Sequence, residues 1–336
     1  MDRNEIVRLA MDNYHGTVQG NFSQQETNNA LRQALIDANN GKTYLDIRDV
    51  RDGKCSEVFA IIEEIVANVK REVLTLDPVI SRIVEYRNVA HGDAVDIIVP
   101  DSQTFEVSVI GGGSQAIRRQ RLVAGESVRV PTSWKAIKIY EEIELILAGR
   151  VDFNEAINRV AQSFVKKTYE DIATVWYSAL DNLTAPYAFS GSFDEATMMG
   201  IIEHVKAESG SASAMLVGSA LALNKVVATH DTYLQIALED AYKMGYVGMF
   251  NGTPKYALRP AHVAGTTNFV YADNKVGVIA TDFKPIVYVT EGQSLILPRN
   301  YADNVDLTQE YLMMEKTGVA TRISAAAGCY GRYTIS

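Results

Sequence analysis

The stretch VDFNEAINRVAQSFVKKTYEDIATVWYSAL, Val151 to Leu180, runs for thirty residues without a glycine or a proline. Phe153, Ile157, Val160, Phe164, Ile172 and Trp176 recur at helical spacing. Ala161, Val165 and Tyr169 widen the apolar stripe, while Asn158, Gln162, Lys166 and Asp171 take other faces. The spacing predicts a single helix about 45 Å long, at 1.5 Å per residue, which exceeds most globular helices. It carries none of the paired ligands or catalytic groups that usually justify a long central helix, so it reads as a structural beam.

Around this helix the chain has an ordinary composition for a folded protein, 47% hydrophobic and 22% charged over 336 residues. A formal net charge of −9 argues against gripping DNA over a broad surface, because phosphate neutralisation needs an excess of lysine and arginine on the contacting face. Only Cys55 and Cys329 are present, which is too few for a disulfide framework or a four-cysteine zinc site. The opening MDRNEIVRLAMDNYHG is acidic and amphipathic where a signal peptide is basic and then apolar, and no stretch reaches the ~18 apolar residues of a membrane span. A cytosolic site of synthesis is expected.

The first 90 residues read as helices. Ser23 and Glu26 form a capping box, and Gly41 stands where that helix ends. In SEVFAIIEEIVANVKREVL, residues Val58, Ile61, Ile62, Ile65, Val66 and Val69 share one face, and Asp77-Pro78 marks the break. With few long-range strands, this third reads as an arm laid over something else. From Ala94 the period changes to that of strands, in VDIIV, TFEVSVI and KAIKIYEEIELIL. The connection GGGSQAIRRQRLVAGESVRVPTSW is too long for a tight turn and predicts a two-stranded flap leaving the body, which alone is barely stable in water.

After the long helix the pattern becomes mixed. SAMLVGS reads as a buried strand, and ALALNKVVATH and DTYLQIALEDAYKM as helices. VGMFNGTPKYAL reads as two strands about an Asn251-Gly252 turn. KVGVIAT, PIVYV and QSLIL read as further short strands. The tail is expected to turn at Lys316 to Gly318 between two strands and to close on a strand in GRYTI.

No chemistry-bearing constellation emerges. Gly111, Gly112 and Gly113 lack the order and the following helix of a phosphate-binding loop and read as a loop tip. Arg118, Arg119 and Arg121 could pair with phosphates, but arginine forks equally suit carboxylates on a neighbouring copy of an acidic protein, and the missing wider basic footprint favours protein contact. The five histidines never take metal-ligand spacing, and no serine elbow has the strand-turn-helix context. No catalytic, cofactor or metal residue is assigned.

An arm, a flap, a long helix and a mixed domain, in this order and with VGMFNGTPKYAL and the closing TQEYLMMEKTGVATRISAAAGCYG, resemble the major capsid proteins of tailed bacteriophages, the Hong Kong 97 type. The resemblance implies an α+β fold with an N-terminal helical arm at 1–91 and an extended loop, a long β-hairpin, at 92–150. It implies a peripheral domain with the spine helix at 151–210 and 289–325, and an axial domain at 211–288 and 326–336. It places Gly111, Gly112, Gly113, Arg118, Arg119, Arg121 and Trp134 in inter-subunit contacts of the extended loop, and Phe153, Ile157, Val160, Phe164, Ile172 and Trp176 in the spine-helix core.

The implied function is self-assembly, as hexamers and pentamers, into an icosahedral shell that encloses double-stranded DNA without reading its sequence. Scaffolding, portal and possible decoration proteins are the implied partners, with no cofactor and no membrane. The implied setting is a virion capsid built in the host cytoplasm, and no covalent crosslink is expected. Two other readings stand beside this one: an encapsulin-like compartment around a cargo enzyme, and a small-molecule enzyme using the glycine-rich loop.

Overall fold

The computed structural model describes residues 3–15, 24–99, 107–108, 119–120, 126–140, 148–150, 153–228, 243–299, 310–323 and 329–336. The fold is α+β. The expected long helix is α6, Phe153–Asp181, and Val160, Ala161, Phe164, Val165, Tyr169, Ile172, Ala173, Trp176 and Leu180 are buried along it at three- and four-residue steps. Helices that precede it include α1 (Arg3–His15), α2 (Gln24–Ala38), α3 (Ile47–Arg51) and α4 (Ser56–Leu76). Ser23 of the expected capping box lies outside the described residues. At the other end of α2, the Asn40 N–H donates to Asp37 and the Gly41 N–H to Ile36, with Asn40 and Gly41 both at positive φ. This is the paired hydrogen-bond pattern by which a left-handed residue ends a helix.

The apolar face of α4 is buried at all six expected positions. It lies against α6 and, with α1 and α2, shares a core with Ile296, Tyr311 and Met313 of the sheet beyond. Asp77 ends α4 and accepts from the N–H groups of Val79 and Ile80, opening the single turn α5 (Ile80–Ile83). The first third is not purely helical. Strand β1 (Val84–Val89) pairs in parallel with Ile286 to Glu291; its mixed polar sequence gives little local strand signal, and its partner lies some two hundred residues away.

A four-stranded sheet has the order β1-β10-β11-β4, with β4 Thr132–Tyr140, β10 Ile286–Arg299 and β11 Glu310–Thr321. Two expectations are corrected here. PIVYV and QSLIL form one continuous strand, β10, whose register shifts between Glu291 and Leu295 around Gly292 at φ 76°. Lys316 to Gly318 make no turn. They lie inside β11, paired with Glu291 to Val289 on one side and with Trp134 to Thr132 on the other. Gly318 is needed for close approach, since a Cβ there would meet the Pro131 carbonyl oxygen at 2.4 Å.

Helices α4 and α6 cover one face of this sheet. On the other face rests the two-stranded ribbon β2 (Asp96–Val99) and β3 (Glu126–Arg129), with Val95, Ile97 and Val130 packed on Val287, Val289 and Ala320. The flap's outgoing strand VDIIV therefore pairs within the connection itself. KAIKIY, expected as the flap's return, instead joins the main sheet as β4.

A six-stranded sheet has the order β5-β12-β9-β6-β8-β7, with β5 Ala188–Gly191, β6 Ala214–Gly218, β7 Met249–Phe250, β8 Thr253–Ala257, β9 Lys275–Ala280 and β12 Tyr330–Ile335. The turn at Asn251-Gly252 forms as expected, both residues at positive φ. Helix α7 (Glu195–Ser209) packs on this sheet through Met198, Ile201, Ile202 and Val205, so both β5 and α7 sit with the strands that follow them. Among its described residues, ALALNKVVATH holds the short helix α8 (Ala220–Asn224). DTYLQIALEDAYKM falls outside the described residues but for its last two.

The long helix joins the two sheets. Val160, Ala161 and Phe164 belong to the core with α4 and Tyr311, whereas Val165 to Leu180 belong to one that holds Met215 and Ile279 of the six-stranded sheet and Ile286 and Tyr288 of the four-stranded one.

Candidate assembly surfaces

The root of the ribbon is built around one carboxylate. Glu291 sits at the β10 irregularity, 3% exposed, and takes three donors: the Gly92 N–H at 2.8 Å, Thr132 Oγ1 at 2.7 Å and Lys316 Nζ at 2.7 Å. His91 Nδ1 stands 3.7 Å away, its ring 5.6 Å from that of Trp134. Asp93, Arg129 and Pro131 line the same cleft, of about 410 Å³. The Lys316 ammonium, followed by Thr132 and Gly92, pulls the Glu291 carboxyl from its ordinary 4.5 down to about 2. A depressed carboxyl contributes its full stability above its unfolded value and loses it as the pH falls. The Tm of the wild type should accordingly fall faster than that of Glu291→Gln between about pH 4.5 and pH 2, and parallel thermal-melt profiles across that window would refute the assignment.

Between the helices and the sheet lies a second buried polar group. Lys70 Nζ of α4 is 2.6 Å from both oxygens of Glu315 on β11 and 2.9 Å from the Tyr288 hydroxyl on β10, with Thr168 of α6 3.5 Å from that hydroxyl. Burial alone lowers the Lys70 pKa, but Tyr288 and Glu315 outweigh it, so the shift is upward and the ammonium stays charged.

Beyond the ribbon root, the same sheet face carries further apolar side chains. Residues directly opposite one another share a face, and two rows, Leu297-Leu312-Lys138 and Leu295-Met314-Ala136, extend outward from the row Glu291-Lys316-Trp134. Leu295, Leu297 and Trp134 are each 40% exposed or more. Together they form a candidate contact surface on one sheet face.

Of the residues singled out from sequence, Trp134 lies at the edge of this stripe and Arg119 is exposed. Gly111, Gly112, Gly113, Arg118 and Arg121 fall outside the described residues. Val160, Phe164, Ile172 and Trp176 are buried in α6, and the side chains of Phe153 and Ile157 fall outside the description. Sequence reasoning missed Glu291 and the pair Lys70 and Glu315. Their signals were faint: a carboxylate beside a glycine between two strand-like runs, and an acid at the inward position of the alternation Tyr311, Met313, Glu315.

The family described as "SPbeta prophage-derived putative capsid protein YonB" matches residues 6–330. No curated protein matches the chain. Solved structures similar to it include the capsid of the cyanophage P-SCSP1u (9% identity, TM-score 0.47, covering 76% of this chain and 87% of that one). Others are the capsid of an empty GTA particle (14%, 0.49, 76% and 89%) and a virus-like particle from Pyrococcus furiosus (12%, 0.46, 83% and 99%).

Proposed function

Since the chain belongs to this prophage-derived capsid protein family, we propose that it is the major shell subunit of a tailed phage or prophage, of Hong Kong 97 type. Copies join as hexamers and pentamers into an icosahedral shell around double-stranded DNA. Assembly takes place in the host cytoplasm, with scaffolding and portal proteins as partners. In this reading the helices of 1–83 form the arm, the excursion from Gly92 to Thr132 the extended loop, α6 with the four-stranded sheet the peripheral domain, and α7 with the six-stranded sheet the axial domain. Gly111 to Gly113, Arg118, Arg119 and Arg121 of the loop, and Trp134 of β4, meet a neighbouring copy. Head-to-tail contacts between identical subunits close into rings where the rotation allows, and several modest contacts per subunit reinforce one another. The role is structural.

The observation that carries the self-assembly reading is the exposed apolar stripe at Leu295, Leu297 and Trp134. Electron microscopy of the purified protein, alone and with its scaffold, should show rings, tubes or shells. Leu297→Asp should leave the Tm unchanged, because the side chain is 46% exposed, yet abolish those assemblies. A wild-type protein that stays a monodisperse monomer under all assembly conditions overturns the reading.

A further inference from the structure

We propose that Glu291 is the positioning residue of the ribbon: it ties both ends of the excursion from Gly92 to Thr132 to one point on the four-stranded sheet and so holds the ribbon in its place on that face. One carboxylate oxygen, Oε1, accepts from the Gly92 N–H, just ahead of β2. The other, Oε2, accepts from Thr132 Oγ1, just after β3. A swing of the ribbon that carries Gly92 or the Thr132 side chain away from Glu291 breaks one of these bonds. Lys316, reaching in from β11, holds Oε1 and with it the orientation of the carboxylate.

Regular pairing aims the group: Val287, Val289 and Glu291 alternate onto the ribbon's face, and the register shifts after Glu291. At the shift Gly292 adopts φ 76°, and a Cβ there would stand 3.4 Å from His91 Cβ, so the chain ahead of β2 passes close to β10. Among the described side chains the ribbon's apolar footing is Val95, Ile97 and Val130, and a lone two-stranded ribbon is marginal in water, so such a tie adds to what holds it.

Hydrogen exchange of the full chain at pH 7 tests this. In Glu291→Ala the amides of 96–99 and 126–129 should exchange roughly tenfold faster or more, while those of Tyr288 and Met313 in the β10–β11 pair keep their wild-type rates. Thr132→Val, which severs the exit tie alone, should give an intermediate increase confined to the same amides, and it carries the test if the alanine variant does not fold. Unchanged ribbon exchange in the variants, or an increase spread evenly over both sheets, overturns the proposal. The consequence for assembly rests on the capsid reading: Glu291→Ala should form aberrant particles where the wild type forms regular ones. Failure of the wild type to assemble would count against that reading alone, since the exchange rates judge the tie by themselves.

Discussion

Trp176→Ala should destabilise the protein by about 3 to 5 kcal/mol, the range for removing a large aromatic ring from a packed core. The ring is 2% exposed and lies in α6, where the long helix has passed from the first core into the second. Its neighbour across the interface is Gly277 of β9, where a Cβ would stand 2.4 Å from Trp176 Cζ2. The strand has therefore given up a side chain so that the indole can lie on its backbone. This close approach makes a second, coupled expectation. Gly277→Ala should cost about 1 to 3 kcal/mol in the wild type by overpacking, and much less in the Trp176→Ala background, where the space has been vacated. Urea unfolding of the two single variants and the double variant gives the coupling directly. Additive effects would mean that the ring and the strand do not share the space, and an unchanged midpoint for Trp176→Ala would remove the helix from its assigned place between the sheets.

The legible parts of this fold are those whose signal is local. α6 and α4 could be read because their apolar residues recur every three or four positions with no breaker inside, and β6 because all its residues are apolar and buried. The turn at Asn251-Gly252 was legible because few residues accept positive φ twice in succession. The misread parts depend on partners far along the chain. Gly292 and Gly318 look like interruptions in sequence, yet one marks an irregularity and the other a close approach to Pro131, and both strands run on because long neighbours pair with them on either side. β1 has no apolar alternation to announce it and exists through its pairing with β10. The candidate site shows the same division. Trp134 is singled out through the resemblance, as a residue of the extended loop, and lies instead in β4, whereas Glu291 acquires its role only when Gly92, Thr132 and Lys316 are brought to it from three separate segments.

Lys70→Met, with Glu315 left in place, should cost about 3 to 5 kcal/mol, because it strands a buried carboxylate without its countercharge. The Glu315 side chain is 4% exposed and that of Lys70 8%, so water can replace neither partner. The desolvation that makes the broken pair so unfavourable also limits what the intact pair contributes, and replacing both partners by apolar groups of similar size is often neutral or stabilising. Lys70→Met combined with Glu315→Leu should therefore recover most of the loss, with the Tyr288 hydroxyl left only its contact with Thr168. The cluster joins α4, α6, β10 and β11 at one point, with Lys70 also lying over the rings of Phe164 and Tyr288. Its more specific task is to fix how the N-terminal helices dock: α4 could slide by a turn against apolar neighbours, but doing so would bury the ammonium away from its carboxylate. On this argument the double variant keeps its stability but loses uniqueness of docking, seen as broadened side-chain signals around α4 at an unfolding midpoint close to that of the wild type. A Lys70→Met variant as stable as the wild type would show that the pair is solvated and has no part in holding α4 in place.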